Sequence, residues 1–429
     1  MPVIAPTAAF IDTLRFGTYL VEARMTVYQN GLSTSIIVPI STAQITVDRN
    51  SANRRQGSIT AEFIPSVPPP ANMPTDPTSL LAPFGTEIFL EFGVVTTAAV
   101  VDQATQAIIT PAVISWTPIG LLDIATTTVD DTTVDLTVTL DVYDRSWVIS
   151  QRSFLQPYNI PATPSGLFEA EIQQLLNLVW NESNNAPGLI FNIAQTDPPT
   201  LVPGASYNQG DDPWDACQDM ASACGYELFF DVNGVVTGYP IPDPTTTPIT
   251  WNFNDDPTVI YGDPGTGSAA LFGGVYSTPV ECQNQMTRDG ISNDFYVAGT
   301  GSQTAPGSAS GYEVPALARA SDTNPRSATY IYGGVGDVPT FTSSNLVLTN
   351  AQALAMAQNL LQNSISASWQ ITVTYPPNPI FDIDDCVTVT RPRMGLNNVK
   401  MVIDTITHSV NYADLSQITG RVVAPVTSS

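Results

Sequence analysis

Asp382, Asp384 and Asp385, in the segment FDIDDCV, form a dense group of side chains that could do chemistry. Clustered carboxylate oxygens are the ligands that hard cations such as Ca²⁺ prefer. The segment lacks the twelve-residue loop, with its glycine and distal glutamate, that an EF-hand requires. The pattern therefore favours carboxylates that cap turns, with a calcium site as the alternative. We expect no resident metal ion and no cofactor.

His408 is the only histidine, so a Ser-His-Asp or Cys-His mechanism would have to use it. It lies in a threonine-rich strand pattern, and the sequence contains no G-x-S-x-G motif. The glycine-rich segment at residues 262–274 lacks the lysine and the following helix of a phosphate-binding loop. A second acidic group is explained by helix capping and comprises Asp211, Asp212 and Asp215. We therefore expect no catalytic residue.

The four cysteines are Cys217, Cys224, Cys282 and Cys386. Cys217 and Cys224 lie seven residues apart on a predicted helix, which separates their Cα atoms by about 10 Å. A disulfide cannot bridge that distance. A zinc site would need a C-x2-C pair and histidine partners. The spacing therefore predicts small buried residues rather than reactive ones.

Arg49, Arg54 and Arg55 form a basic cluster in a chain with 14 lysines and arginines against 39 acidic residues. One interpretation is a solvated turn. The other is a salt-bridged contact between subunits, because scarce basic residues in an acidic protein suit specific pairing. We retain these three arginines as a candidate inter-subunit contact.

The composition indicates a large β-rich protein. At 429 residues the chain is long enough for about three domains. With 43% hydrophobic and 12% charged residues it is too apolar to be disordered. The net charge of −25 argues against specific nucleic-acid binding, which needs clustered Arg and Lys. No apolar run is long enough for a membrane span, and the first residues lack the features of a secretory signal. We expect a protein made in the cytoplasm for an assembly.

The N-terminal region has the pattern of strands. Gln29, Asn30 and Gly31 are a hairpin signal after one or two strands, and the proline-rich segment 64–77 predicts a surface loop between two strands. Alternation in TTVDLTVTLDVY predicts a strand. Its buried face would carry Val134, Leu136, Val138, Leu140 and Val142. The opposite face would carry Thr137, Thr139 and Asp141.

The middle of the chain has helical patterns. Residues 166–185 place apolar side chains at helical spacing, namely Leu167, Ile172, Leu175, Leu176 and Val179. A second helix has Asp212 as its N-cap, Pro213 at its first position and Gly225 at its end. It leads into YELFFDVNGVVTGYP, which predicts a hairpin that turns at residues 231–234.

The remainder is richer in loops and then returns to strands. We predict short strands at residues 273–276 and 294–298, and a long loop at 299–311. A third helix should start at Asn350, a good cap after Thr349. The last segment again has strand patterns, which end near His408.

Four segments carry a family resemblance: ITVDRNSANRRQG (45–57), LLAPFGTEIFLEFGV (80–94), WTPIGLLDIATTTV (116–129) and LTVTLDVYDRSWVISQRSFLQPYNIP (136–161). Their order, with RR at the start of a strand, P-[FY]-G-x-E, G-x-[FL]-x-I and D-R-[SA] at a strand end, resembles bacteriophage tail-tip hub proteins of the siphophage type, a group of minor tail proteins. The helix, glycine and YELFFDVNG element is similar to their helical insertion. The C-terminal Pro-x-Pro and Asp-x-x-Asp-x-Val pattern is similar to their closing β domain.

The resemblance implies a fold that is mainly β with an α+β insertion. It comprises two tube-like β-barrel or sandwich domains and a helix-containing middle domain. The implied divisions are a tube-like β domain (1–160), the α+β insertion (161–255), a loop-rich β domain (256–349) and a helix with a second tube-like β domain (350–429).

The implied function is structural. A homotrimeric hub would close the distal end of the tail tube, connect it to the tail-tip proteins and form a channel for genome ejection. It would act in the virion at the tail tip. The implied partners are further copies of the chain, a distal tail or tail tube protein, the tape measure protein and a central tail fibre or spike.

Two alternatives belong to other functional classes. A receptor- or carbohydrate-binding tail protein would fit the Thr- and Asn-rich surface, but such proteins usually show repeats or coiled coils, and the sequence has neither. A glycan-degrading tail enzyme would need paired carboxylates about 5 to 9 Å apart, and no local group of acids suggests them. The shape of the oligomer discriminates the three: a closed ring, an elongated fibre head or a compact body with a cleft.

Overall fold

In a computed structural model the chain is mainly β, as the sequence predicted. The described residues are 13–14, 20–29, 32–63, 73–97, 100–101, 108–132, 136–160, 166–181, 188–196, 202, 204–255, 276–277, 279–304, 313–325, 327, 329–344, 347, 349–409 and 414–423. No helix among these residues is both long and apolar enough to cross a membrane. The glycine-rich segment 262–274 and Val134 lie outside them.

The N-terminal region is a series of antiparallel strands. They are β1 (Val21–Gln29), β2 (Leu32–Val38), β3 (Thr42–Asp48), β4 (Arg55–Phe63), β5 (Thr86–Thr97), β6 (Val100–Val101), β7 (Ile108–Thr110), β8 (Val113–Asp131) and β9 (Leu136–Tyr143). The first hairpin is confirmed, because Gln29 pairs with Leu32. The described residues between β4 and β5, 73–85, belong to no strand, in agreement with the predicted loop; residues 64–72 of that loop lie outside the description.

The phase of β9 is the predicted one. Its buried side chains are Leu136, Val138, Leu140 and Val142, whereas Thr137 and Thr139 are half-buried and Asp141 is exposed. They pack in a core with residues from β1, β4, β5 and β8. Alternation therefore placed one face of this strand in the protein interior because successive strand side chains point to opposite faces.

The described residues of the middle region form three helices and short strands. The elements are α1 (Arg145–Ser150), β10 (Tyr158–Ile160), α2 (Phe168–Asn181), β11 (Phe191–Ile193), β12 (Ala205–Tyr207), α3 (Pro213–Cys224), β13 (Tyr226–Phe230) and β14 (Val236–Pro240). The predicted boundaries of α3 are confirmed: Asp212 accepts hydrogen bonds from the first turn, and Gly225 ends the helix at φ +72°. In α2, Leu167 precedes the helix and is exposed, whereas the other predicted apolar residues are buried.

The third region is β15 (Ile249–Asn254), β16 (Tyr276–Ser277), β17 (Glu281–Met286), β18 (Asp294–Thr304), β19 (Glu313–Ser321), β20 (Pro339–Ser344) and α4 (Asn350–Ala367). Residues 299–304, predicted as loop, instead extend β18, with Thr304 paired to Glu313. Cross-strand hydrogen bonds offset the low strand propensity of glycine and serine there. Thr349, one residue earlier than predicted, caps α4.

The C-terminal strands are β21 (Trp369–Tyr375), β22 (Cys386–Arg391), β23 (Leu396–Ser409) and β24 (Ser416–Val422). They join the N-terminal strands in one 14-stranded sheet, in the order β16-β15-β22-β23-β3-β4-β9-β8-β5-β1-β2, with β24, β21 and β17 branching from β23. Among the described residues the sheet packs on two cores: one is formed by the N-terminal strands, and the other is formed mainly by the C-terminal strands with Val47 and Val94 from the N-terminal region. The pairing of β3 with β23 connects them.

Two elements pack outside the segments that the sequence assigned to them. β15, from the end of the predicted insertion, pairs with β22 of the C-terminal region. Helix α4, assigned to the last segment, packs on β18 and β19, where Ala353 and Ala357 meet Phe295 and Val297. The small side chains of α4 allow this close approach.

Candidate functional site

Arg49 and Arg54 lie in the turn between β3 and β4, Arg55 is the first residue of β4, and the structure brings their side chains together inside the subunit. Their side chains are 8%, 6% and 1% exposed, respectively. The hairpin holds them there, because the backbone N–H of Asp48 donates to the carbonyl of Arg54 at 2.8 Å. The solvated-turn interpretation is therefore wrong.

Arg49 and Arg54 pair with carboxylates from two distant segments. Arg54 Nη1 donates to Glu227 Oε1 on β13 at 2.8 Å. Arg49 Nε lies 3.5 Å from Glu227 Oε2 and 3.4 Å from Asp384 Oδ1. The guanidinium of Arg54 also stacks on the ring of Phe229, 3.7 Å from its centroid. The salt bridges expected between subunits have partners in the same chain, and a contact with a neighbouring subunit stays a prediction.

Arg55 connects the same hairpin to the C-terminal region. Its Nη1 donates to the carbonyl of Phe230 at 2.6 Å, and its Nη2 donates to Asp382 Oδ1 at 3.2 Å. Its backbone N–H donates to Asp144 Oδ2 at 2.9 Å. One arginine thus contacts the insertion, the C-terminal β region and the start of α1.

The contacts of Arg49, Arg54 and Arg55 described above form a junction between the β3–β4 hairpin, the β13–β14 hairpin and the aspartate segment. A further arginine, Arg145, extends this junction. Arg145 forms a forked pair with Glu87, with N···O distances of 2.6 and 2.9 Å, and donates to the carbonyl of Gly234 at 3.1 Å. Gly234 has φ +72°, and a Cβ there would lie 2.6 Å from a methyl of Leu121 and 3.2 Å from Arg145 Nη1. The hairpin turn therefore needs glycine for both conformation and space.

The sequence motifs meet at this junction. RR supplies Arg54 and Arg55, P-F-G-x-E supplies Glu87, and D-R-S supplies Asp144 and Arg145. All reach the hairpin β13–β14, directly or through one partner. In the sequence these motifs mark the starts and ends of strands, and their spacing does not predict that they converge. The scarcity of arginine was the available signal, since few other cations could pair with buried acids.

The aspartate segment acts as a set of caps and arginine partners. Asp385 Oδ2 accepts from the N–H of Asp382 at 3.1 Å, and Asp382 Oδ1 accepts from that of Ile383 at 2.9 Å. Tyr239 donates its hydroxyl hydrogen to Asp384 Oδ2 at 3.0 Å. In the part of the chain that the structure describes, no three ligand side chains are arranged for a metal ion. Turn capping is therefore confirmed for Asp382 and Asp385, whereas Asp384 pairs with Arg49 and Tyr239.

Burial sets the electrostatics of the junction. It raises the pKa of Glu227 to about 7, against the attraction of Arg54, and raises the pKa of Asp385 to about 6. It lowers the pKa of His408 to about 4, with Asp382 opposing the shift and Arg55 adding to it. His408 is thus neutral at pH 7 and packs edge-on against Phe92, with ring centroids 6.0 Å apart.

The cysteines are small packing residues. None of the four forms a disulfide in the described part of the chain; Cys217 is buried and Cys224 is half-buried. Burial raises the pKa of the Cys224 thiol to about 12 and also raises that of Cys217. Thiols that hold their protons this tightly are poor nucleophiles.

The arginine junction is suited to fix the orientation of the regions that it joins, because guanidinium groups make forked hydrogen bonds of fixed geometry.

A cleft of about 750 Å³ lies apart from the junction, between the insertion and the β18–β20 sheet. β10, β12 and α3 form one wall. The end of β20 and Met356 of α4 form the other. The residues that line it include one carboxylate, Asp219.

Comparison with solved structures shows which fold this is. The tail protein from Neisseria meningitidis MC58 matches with a TM-score of 0.58 and 10% identity, covering 94% of this chain and 96% of that one. The 43 kDa tail protein of prophage MuSo2 from Shewanella oneidensis matches at 0.53 and 14%, covering 94% and 98%. Prophage tail protein gp18 from Listeria monocytogenes EGD-e matches at 0.51 and 11%, covering 94% and 95%. No protein-family model and no curated protein matches the sequence. The chain has the fold of solved phage tail proteins.

Proposed function

We propose that this chain is the structural hub of a phage tail tip. In this role it closes the distal end of the tail tube, connects it to the central fibre and the other tail-tip proteins, and forms a channel for the genome. The fold shared with solved tail proteins over 94% of the chain supports a structural tail protein. The position at the tip and the channel are parts of the proposal.

The observation that carries the proposal is the pairing of β3 with β23. It fuses two β regions, each with its own core, into one sheet. Three such subunits around a closed axis would present six β units. A homotrimer could therefore match a hexameric tube, and the sheet would give each unit a fixed position. The proposed neighbours are a distal tail or tail tube protein, the tape measure protein and a central fibre or spike.

The placement of the acidic side chains also favours a structural role over a glycan-degrading one. A glycosidase needs two carboxyl groups about 5 to 9.5 Å apart beside its substrate. Asp219 is the one carboxylate among the residues that line the cleft. At the junction, Glu227 and Asp382 form ion pairs with Arg54 and Arg55. We therefore propose that the protein is not an enzyme.

Native mass spectrometry and negatively stained images of the purified protein test the proposal. We expect a trimer that forms a closed ring with an axial channel. An elongated fibre head would favour a receptor-binding role. A monomer with no ring in the isolated tail would contradict the hub assignment.

A further inference from the structure

The carboxyl groups of Glu227 and Asp384 meet inside the arginine junction. Glu227 lies on β13 and Asp384 shortly precedes β22, so their contact joins the middle region to the C-terminal region. The side chains are 11% and 5% exposed, respectively, and lie within hydrogen-bond reach of one another. Two ionised carboxylates in contact inside a protein repel each other, and neither can donate a hydrogen bond.

The hydrogen bonds of the pair leave a place for one proton. Glu227 Oε1 accepts from Arg54 Nη1 at 2.8 Å, and Asp384 Oδ2 accepts from the hydroxyl of Tyr239 at 3.0 Å. The other two oxygens, Glu227 Oε2 and Asp384 Oδ1, are buried and have no hydrogen-bond donor among the described residues. Both face Arg49 Nε, at 3.5 and 3.4 Å. A proton on Oε2 would satisfy both, because a protonated carboxyl group donates to a carboxylate.

The ionisable groups around the pair include more acids than cations. They come from the β3–β4 turn and the start of β4, from β13, from the start of α1, from the aspartate segment and from β23 and β24. The guanidinium groups are those of Arg49, Arg54, Arg55 and Arg421, and the carboxyl groups are those of Asp144, Glu227, Asp382, Asp384, Asp385 and Asp404. If all of these acids were ionised, the interior would carry excess negative charge, and a retained proton lowers that cost.

The pKa shifts of the two acids have the directions that a shared proton requires. Burial raises the pKa of Glu227 to about 7; Arg54 opposes the rise and Asp384 adds to it. Burial also disfavours the ionised form of Asp384, but the hydrogen bond with Glu227 and the charge of Arg49 outweigh it and lower the pKa of Asp384. From about pH 4 to about pH 7 the pair therefore holds one proton.

We propose that Glu227 and Asp384 share one proton, with Glu227 Oε2–H donating to Asp384 Oδ1, and that this proton is a pH-sensitive latch between the β13–β14 hairpin and the aspartate segment. Loss of the proton to solvent places two negative charges in contact and weakens the attachment of the hairpin. Because the pKa of Glu227 lies above its ordinary value of 4.5, its contribution to stability is present at low pH and is lost as the pH rises through about 7. The latch is internal to one subunit, so it is independent of the tail-tip role.

Glu227→Gln tests the latch, because the amide keeps an acceptor for Arg54 and a donor to Asp384 at every pH. Glu91→Gln is the matched control, since Glu91 is 12% exposed and pairs with Arg24 within the N-terminal sheet. At pH 5 the unfolding equilibrium constants of wild type and Glu227→Gln should agree within about threefold, whereas at pH 9 the wild-type constant should be at least about tenfold larger. Glu91→Gln should differ from wild type by the same factor at both pH values. A pH-independent effect of Glu227→Gln, or an equal pH dependence in the control, would overturn the proposal.

Hydrogen exchange measures the attachment of the hairpin directly. At pH 9 the amides of β13 and β14 should exchange about tenfold faster in wild type than in Glu227→Gln, and at pH 6 their rates should agree. In wild type at pH 9 these amides should also be less protected than those of β9, because the hairpin opens without unfolding the N-terminal core. Equal protection of the hairpin and β9 would contradict a latch.

Infrared spectra locate the proton. At pH 6 the difference between wild type and Glu227→Gln should contain the C=O stretching band of a protonated carboxyl group, and this band should vanish at pH 9. Asp384→Asn should remove the band at pH 6, because it removes the like charge and leaves Glu227 ionised beside Arg49 and Arg54. Asparagine suits this position, since Asp384 has φ +68°. Absence of the band in wild type at pH 6, or its persistence in Asp384→Asn, would rule out the shared proton.

Discussion

Arg54 is a buried cation held between the ring of Phe229 and the carboxylate of Glu227. Removing one member of a buried ion pair leaves a charge with too little compensation, whereas removing both can be nearly neutral. Arg54→Met should therefore lower the free energy of unfolding by about 3 kcal/mol. The double variant Arg54→Met/Glu227→Met should recover more than half of that loss. Urea denaturation of both variants measures this, and simply additive losses would contradict it.

His408 makes stability depend on pH. Its pKa is about 4 in the folded state, below the ordinary value of 6.5, because burial disfavours the imidazolium. Its contribution is present above pH 6.5 and is lost as the pH falls towards 4, since the unfolded chain binds the proton first. Between pH 7 and pH 4, wild type should lose about 3 kcal/mol relative to His408→Phe. If the free energy of unfolding of the two proteins changes with pH in parallel, His408 does not contribute this pH dependence.

At the scale of the element, the hairpin β13–β14 is one part of the middle region that contacts the large β-sheet and its loops. Its turn residue Gly234 combines a positive φ with crowding by Leu121 and Arg145, whereas Gly210 has φ +95° and open space around it. Gly210→Ala should cost about 1 kcal/mol for conformation alone. Gly234→Ala should cost at least about 1 kcal/mol more, because crowding adds to the strain. Thermal unfolding of the pair measures the difference, and equal losses would mean that the turn moves away freely.

At the scale of the whole molecule, the dominant property is acidity. Three subunits with a net charge of −25 each carry −75 together. In the proposed ring, acidic side chains around the axis would repel a DNA backbone and let it pass without binding. We expect Asp and Glu to predominate among charged side chains that reach the channel in an assembled tail tip. An arginine-lined or wholly apolar channel in that structure would leave the acidity as a determinant of solubility.

Local signals in the sequence predicted the elements well. Alternation gave the phase of β9, and Asp212, Pro213 and Gly225 marked both ends of α3. These features depend on residues within a turn or two of one another, so the sequence contains their cause. The 299–304 segment was missed because its pairing with β19 outweighs its local composition.

By itself, the sequence determined the mainly β class, the helices of the middle region and the motifs that resemble tail hubs. Only the tertiary structure decided what those motifs contact. Arg54 and Glu227 are 173 residues apart in the chain, and β3 pairs with β23 across an even longer separation. Such partners are chosen by the path of the whole chain and by the burial of charge, since an arginine inside the protein must find an acid or a carbonyl wherever the fold brings one. No local pattern contains that information.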